Sequence, residues 1–325
     1  MEQILMMKGA RKLVTMCAEV KPGEKVMVLT DMNLVKVAEC VCAAAHEVGA
    51  EVSMSIMVPR KMHNEPLPEC VRAAMKHVNV LFVPTTFSIA HTVARREATE
   101  AGVRIINMPD YRNHLLISGG IDLDFRAQAP LVEKIAGMLS DAREARVTSK
   151  LGTNITLGLD GREGKALKGM ALEPGDFATV PDVEARITPL EGTSNGVIMV
   201  DGSICVPGLG LMTEPIKVTV KDGFAVSIEG GPQAIAFANI LAGVGDPNAY
   251  NIAELGIGLN PMAKLMGVMV EDEGSLGTIH IAVGTSGAFG GKVQTSIHLD
   301  MQVLSTTVEL DGTPVLKEGE VVVSV

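Results

Sequence analysis

The chain has 325 residues, 47% of them apolar and 20% charged, with a formal net charge of −10. That length accommodates two domains with separate cores, and the apolar share sets aside a disordered chain. The acidic balance argues against a nucleic-acid partner and fits a protein that handles small molecules.

Residues 1–19 mix charge into an amphipathic pattern (Ile4, Leu5, Lys8, Lys12, Leu13, Val14), unlike a signal peptide. No run approaches the ~18–20 apolar residues of a membrane span, so no membrane partner is expected. The five cysteines, Cys17, Cys40, Cys42, Cys70 and Cys205, are odd in number and scattered. They read as reduced, mostly buried thiols, and the expected location is the cytoplasm. Nineteen methionines and no tryptophan point to an adaptable, Met-rich core.

The first ~145 residues alternate helix and strand signals. The pattern predicts helices over 2–19, 33–48, 67–77 and 90–101, and a closing helix over 127–147. Strands are predicted over 25–30, 51–57, 79–84 and 103–107. Gly49 ends the second helix. Strands separated by helices imply right-handed crossovers and a parallel sheet. The rhythm then changes to short strands over 153–159, 196–204, 215–220 and 224–228, with one helix over 232–242. Asp160-Gly161, Asp201-Gly202, Asp222-Gly223 and Asp311-Gly312 are hairpin-type dipeptides. The fold expected is an α/β N-terminal domain with a mainly parallel sheet (residues 1–148), followed by a β-rich α+β domain (149–325).

The chemistry concentrates in the second half. His280 and His298 lie on strand-like runs, and Asp300 follows His298 by two residues. Residues i and i+2 of a strand share a face, so His298 and Asp300 project together, as a metal-chelating pair requires. Glu254 stands in the apolar, Gly-rich stretch 252–258, where a buried acid needs a partner. Glu184 and Glu191 are further carboxylates before and after a predicted strand. Glu271-Asp272-Glu273 reads as a solvated loop. Gly284–Gly291 reads as a turn between strands, since no P-loop Lys-Ser/Thr follows it. No G-x-S-x-G elbow and no HExxH occurs.

Three features carry a family resemblance. They are Val20-Lys21-Pro22-Gly23-Glu24-Lys25-Val26, Leu151-Gly152-Thr153-Asn154-Ile155-Thr156-Leu157 and the ordered set Glu184, Glu254, His280, His298-Leu299-Asp300. On these the chain resembles the aminopeptidase T family of metallo-aminopeptidases along nearly its whole length. The resemblance implies a homodimer. It also implies a C-terminal site for a pair of divalent metals (Zn, Co or Mn) held by Glu184, Glu254, His280, His298 and Asp300, with Glu191 competing for the first position. The family's tyrosine between the histidines falls on Gly287 here, and the nearest aromatic is Phe289.

The expectation that follows is a hydrolase trimming short peptides, with Glu184 or Glu254 bridging the ions or acting as general base. The alternative comes from the same superfamily, which resembles 2,5-dihydroxypyridine dioxygenase, an iron(II) ring-cleaving enzyme. His280, His298 and Asp300 would then form the face of two histidines and a carboxylate that suits non-haem iron. A third reading is a catalytically degenerate homologue that binds metal for stability alone.

Overall fold

The structure is a computed structural model describing residues 1–287 and 290–324. In chain order it begins with α1 (Glu2–Lys12), β1 (Lys25–Asp31), α2 (Val35–Glu47), β2 (Glu51–Met57), α3 (Glu69–Met75), β3 (Val80–Thr85), α4 (Val93–Glu100) and β4 (Arg104–Pro109). The next elements are α5 (Phe125–Asp141), β5 (Glu144–Ser149), β6 (Asn154–Gly158), β7 (Lys165–Leu167), β8 (Phe177–Thr179) and β9 (Glu184–Ile187). There follow β10 (Asn195–Val200), β11 (Ser203–Ile204), β12 (Gly210–Leu211), β13 (Ile216–Lys221), β14 (Phe224–Glu229) and α6 (Pro232–Gly243). The chain closes with β15 (Ile252–Gly258), α7 (Met269–Asp272), β16 (Ile279–Gly284), β17 (His298–Val303), β18 (Thr306–Leu310), β19 (Thr313–Lys317) and β20 (Glu320–Val321). Among the described residues, no helix is long and apolar enough to cross a membrane.

Two compact units form, Met1–Phe125 with Lys168–Pro181, and Arg126–Leu167 with Asp182–Val325. They interleave along the chain, so the change of rhythm near residue 148 falls inside the second unit. The first unit holds a parallel sheet in the order β2-β1-β3-β4-β8. Strands β3 and β4 are buried throughout, as expected of parallel strands covered on both faces. Strand β2 is the edge, and most of it is exposed. Thr92 caps α4 by accepting from the Arg95 N–H at 3.1 Å.

Two predicted helices end early. The α-helix from Glu2 stops at Lys12 and widens into a π-helical turn over Leu13–Cys17. The closing helix ends at Asp141. Residues 144–149 alternate exposed and buried at first, a period of two that belongs to a strand, and they pair with β6 and β18.

The second unit is antiparallel. An eight-stranded sheet runs β14-β13-β10-β6-β5-β18-β19-β20. Asp222-Gly223 joins β13 to β14 and Asp311-Gly312 joins β18 to β19, all four residues at positive φ. That is the turn geometry a two-residue hairpin favours.

A separate five-stranded sheet, β17-β16-β15-β9-β7, carries the chemistry. Its register sets Glu184 opposite Gly258, and Arg186 opposite Gly256, which in turn faces His280 and then Gln302. Glu254 lies opposite Ala282, which faces Asp300, and Gly284 faces His298. Residues directly opposite one another in a ladder share a face, so one face collects every one of these side chains. The other face is wholly apolar: Ala185 and Ile187, Ala253, Leu255 and Ile257, Ile279, Ile281 and Val283, Leu299, Met301 and Val303.

The small residues on the polar face are spacers. A Cβ at Gly256 would sit 2.1 Å from two atoms of the His280 ring, and one at Gly258 would meet the Ser275 carbonyl oxygen at 2.2 Å. Gly256 is therefore the seat of the imidazole. Gly256→Ala is expected to displace His280 and to cost about 1–3 kcal/mol, the usual penalty for overpacking. Denaturant unfolding together with metal titration checks this. Wild-type values in both would refute the seat.

Candidate metal centre

The predicted site residues converge. Glu184, Glu254 and His280 form one group able to hold a metal ion, and Glu254, His298 and Asp300 form a second, with Glu254 common to both. The His280 Nε2 lies 3.3 Å from Glu184 Oε2, 3.4 Å from Glu254 Oε1 and 3.9 Å from Asp300 Oδ1. The His298 Nε2 lies 3.6 Å from Asp300 Oδ1 and 3.8 Å from Glu254 Oε2.

The two groups differ in access. The side chains of Glu184, Glu254 and His280 are 2%, 2% and 1% exposed, whereas His298 and Asp300 keep 17% and 15%. The first group is a wall, and the second opens to solvent at the β17 edge. The two histidines fall in different groups, yet the Nε2 atoms of both, the face of His280, His298 and Asp300 expected for iron, lie within 3.9 and 3.6 Å of Asp300 Oδ1.

Glu191 does not compete for the site. Arg162 holds one of its carboxylate oxygens, and the Lys292 N–H donates to the other at 2.7 Å. Gly287, at the tyrosine position of the resemblance, has Gln294 beside it. Phe289, and with it part of the predicted 284–291 turn, lies outside the described residues.

Three residues of the site were missed by sequence reasoning. Arg186 shares the face of Glu184 two positions on, and its Nη1 donates to Glu254 Oε1 and Oε2 at 3.2 and 3.4 Å. Its spacing of two from Glu184 was the available signal. Asp182 is buried with Oδ1 lacking a hydrogen-bond partner. Glu273, read as part of a solvated loop, belongs electrostatically to Asp300.

That loop reading is corrected for its neighbours too, since Glu271 and Asp272 are fully buried. Asp272 accepts from Ser203 Oγ at 2.6 Å and from the Met266 and Gly267 N–H groups at 2.7 and 2.9 Å. Buried carboxylates persist when bonded this way.

The electrostatics follow from five carboxylates sharing a largely buried site. Burial pushes Asp182 up to about 7, aided by Glu254 and Asp300 against the pull of Arg186. Burial and Asp182 raise Glu184 well above the usual carboxylate range. Burial and Asp300 do the same to Glu273. Burial would lower the histidines, but Glu184, Glu254 and Asp300 overcome it and raise His280 to about 9. Asp300 foremost raises His298 to about 9 against the same burial cost. Asp300 and Glu254, despite burial, are held below their ordinary values, the first by His298 and the second by Arg186 and His280.

The His298 Nδ1 sits 2.9 Å from the Thr285 carbonyl oxygen, which can only accept. Nδ1 therefore carries the proton, and Nε2 is the atom left to bind a metal in the neutral ring.

The fold sets nitrogen and oxygen donors together on one β-sheet, in groups that could hold a metal ion. A protein-family model described as "NicX: 2,5-dihydroxypyridine 5,6-dioxygenase" matches residues 6–323. The chain belongs to that family. The 2,5-dihydroxypyridine 5,6-dioxygenase of Pseudomonas putida KT2440 is 29% identical over 195 residues, 57% of this chain and 56% of its own length. The aligned part thus spans little more than half of that relative.

The structure of the 2,5-dihydroxypyridine dioxygenase from Pseudomonas putida KT2440 matches 99% of this chain and 98% of its own, with a TM-score of 0.84 at 20% identity. Wild-type AmpT from Thermus thermophilus matches 98% of this chain and 99% of its own, with a TM-score of 0.70 at 16% identity. Identities this low show a shared fold. The expectation of a hydrolytic metallo-aminopeptidase is overturned, because the matching family and the curated relative are both dioxygenases.

With metal stripped by chelation, the crowded site holds protons in place of a cation. Asp182 and both histidines have folded-state values above their ordinary 3.8 and 6.5. The folded protein then binds more protons than the unfolded chain between about pH 4 and 9, and stability falls as pH rises through that window. The depressed Asp300 and Glu254 act in the opposite sense only at lower pH. Urea unfolding of the chelated protein from pH 5 to 9 is expected to show a steady loss of stability. A flat or rising profile would contradict the proton-laden site.

Proposed function

We propose that this protein is a non-haem iron(II) dioxygenase that opens the ring of a dihydroxylated pyridine. The observation that carries the reading is the Glu254–His298–Asp300 group, partly exposed at His298 and Asp300, in a chain of the 2,5-dihydroxypyridine 5,6-dioxygenase family. The donor set fits iron. Imidazole nitrogen and carboxylate oxygen suit Fe(II), the thiol of Cys205 is engaged with Asp272 instead, and Asp300 Oδ1 is a buried oxygen with no hydrogen-bond partner.

Glu254, His298 and Asp300 would hold the ion. The ion, when bound, supplies the redox chemistry of oxygen activation. The surrounding residues prepare the site. Thr285 fixes the His298 ring so that Nε2 faces Glu254 and Asp300. Arg186 keeps Glu254 ionised and oriented. Glu184 and His280 form a buried pair behind Glu254, with a proton available at His280 Nε2. A hydroxypyridine that loses a hydroxyl proton on binding adds negative charge, and protonated His280 and Arg186 are the cationic groups that oppose it.

Two measurements test this reading. Protein purified without chelator and reconstituted anaerobically is expected to hold about one iron per chain, as a single three-ligand site allows. It should consume oxygen on addition of 2,5-dihydroxypyridine, with loss of the ring absorbance. Iron without oxygen uptake would leave only the degenerate, metal-binding role. His298→Ala is expected to abolish stoichiometric iron binding while the far-UV circular dichroism stays native. Full iron content in that variant would overturn the ligand assignment.

A further inference from the structure

We propose, on the reading of His298 as a metal ligand, that Arg162 and Glu191 are positioning residues for its imidazole, acting through the connection between β16 and β17. Neither residue touches the ligand groups. Arg162 lies between β6 and β7, and Glu191 between β9 and β10. Their side chains are 11% and 28% exposed and form an ion pair. Together they grip one arm of the 285–297 connection. Arg162 Nη1 donates to the Gly290 carbonyl oxygen, and Nη2 holds Glu191 Oε2. Glu191 Oε1 accepts from the Lys292 N–H at 2.7 Å. Bonds that involve an ionised group are about twice as strong as neutral ones.

Val293, the next residue, carries this hold to the other arm. Its carbonyl oxygen accepts from the Ser286 and Gly287 N–H groups, each at 3.0 Å, and from Thr285 Oγ1 at 3.2 Å. Its own N–H donates to Ser286 Oγ at 3.2 Å. Both arms therefore move as one piece with Lys292.

The consequence for His298 follows from the planarity of the peptide unit. The Thr285 C=O and the Ser286 N–H lie on opposite edges of one trans peptide plane. Holding the Ser286 N–H on Val293 aims the Thr285 carbonyl the other way, where its oxygen meets His298 Nδ1 at 2.9 Å. The ladder bond from the Thr285 N–H to the Ile297 carbonyl oxygen, at 2.8 Å, belongs to the preceding peptide unit. It fixes the strand end and leaves the second plane to Val293. A contiguous chain of bonds thus runs from Arg162 and Glu191 through Lys292, Val293, Ser286 and Thr285 to the ring. Partners of a ligand's remote nitrogen set its tautomer and orientation.

Two measurements on the full chain test this, the first without metal. In chelated protein the His298 Nδ1–H donates to Thr285 whether or not Nε2 is protonated. Its exchange with water, followed by NMR on the ring, reads that bond directly. Exchange is expected to quicken about two- to tenfold in Arg162→Met and in Glu191→Ala, the change that loss of one hydrogen bond produces. Far-UV circular dichroism should stay native.

The second measurement is anaerobic iron(II) titration against a competing chelator. The same variants should bind iron about 10–100-fold more weakly, as the loss of a ligand's supporting partner does. The double variant should be no weaker than either single one, since both residues act through one chain. Glu191→Gln keeps an acceptor for the Lys292 N–H and should fall between, and it serves in place of a truncation that fails to fold. Wild-type exchange at His298 in the folded variants would overturn the proposal, and so would faster exchange with unchanged iron affinity. Normal iron binding by His298→Ala would instead remove the ligand reading beneath it, a failure that the metal-free exchange result tells apart.

Discussion

Five carboxylates packed into one largely buried site are the constraint around which the second unit is built. Asp182, Glu184, Glu254, Glu273 and Asp300 face each other with two imidazoles and one guanidinium to balance them. Such a cluster is stable only if it keeps protons or takes up a cation. The raised values of Asp182, His280 and His298 describe the first solution, and the ligand groups around Glu254 offer the second. The two compete for the same lone pairs, which links metal affinity to pH through the ligands themselves.

The cost of holding that charge is met by the sheet that carries it. Strands β15 and β16 are buried over their whole length, and the face away from the site is filled with Ile, Leu, Val, Met and Ala. That apolar face fixes the register, since a slip of one residue would exchange the two faces. Glycine at 256 then leaves room for the His280 ring, and glycines at 258 and 284 admit close backbone from neighbouring segments. A rigid support of this kind keeps ligand atoms in place without relying on loops.

The site also separates two roles that share one carboxylate. The Glu184–Glu254–His280 group is buried, while His298 and Asp300 of the second group are partly exposed. Glu254 receives Arg186 and His280 on one side and faces His298 on the other. Its charge and orientation are therefore set from within the protein before any ion or substrate arrives. This favours an ion that keeps open positions over a closed structural site.

Much of this was legible in the chain. Periodicity placed the alternating helices and strands of the first unit, because apolar spacing reflects which face is covered. The Asp-Gly dipeptides marked real hairpins at 222–223 and 311–312, since few other residues accept positive φ. His298 and Asp300 share a face for the simple reason that a strand repeats every two residues. Glu184, Glu254 and His280 could be named from their order in a family pattern, but the chemistry that pattern implied was a peptidase's, because a fold shared by two enzyme classes does not by itself choose between them.

What only the tertiary structure decided is which side chains meet. The pairing of β9, β15, β16 and β17 brings together residues more than a hundred positions apart. It draws in Asp182, Glu273 and, beside Glu184 on β9, Arg186, and it excludes Glu191, tied off by Arg162. It also divides the histidines between two groups. Local sequence carries propensity and facing, which act over a few residues. Burial and distance, which set protonation and ligand geometry, depend on strands that are neighbours in space alone.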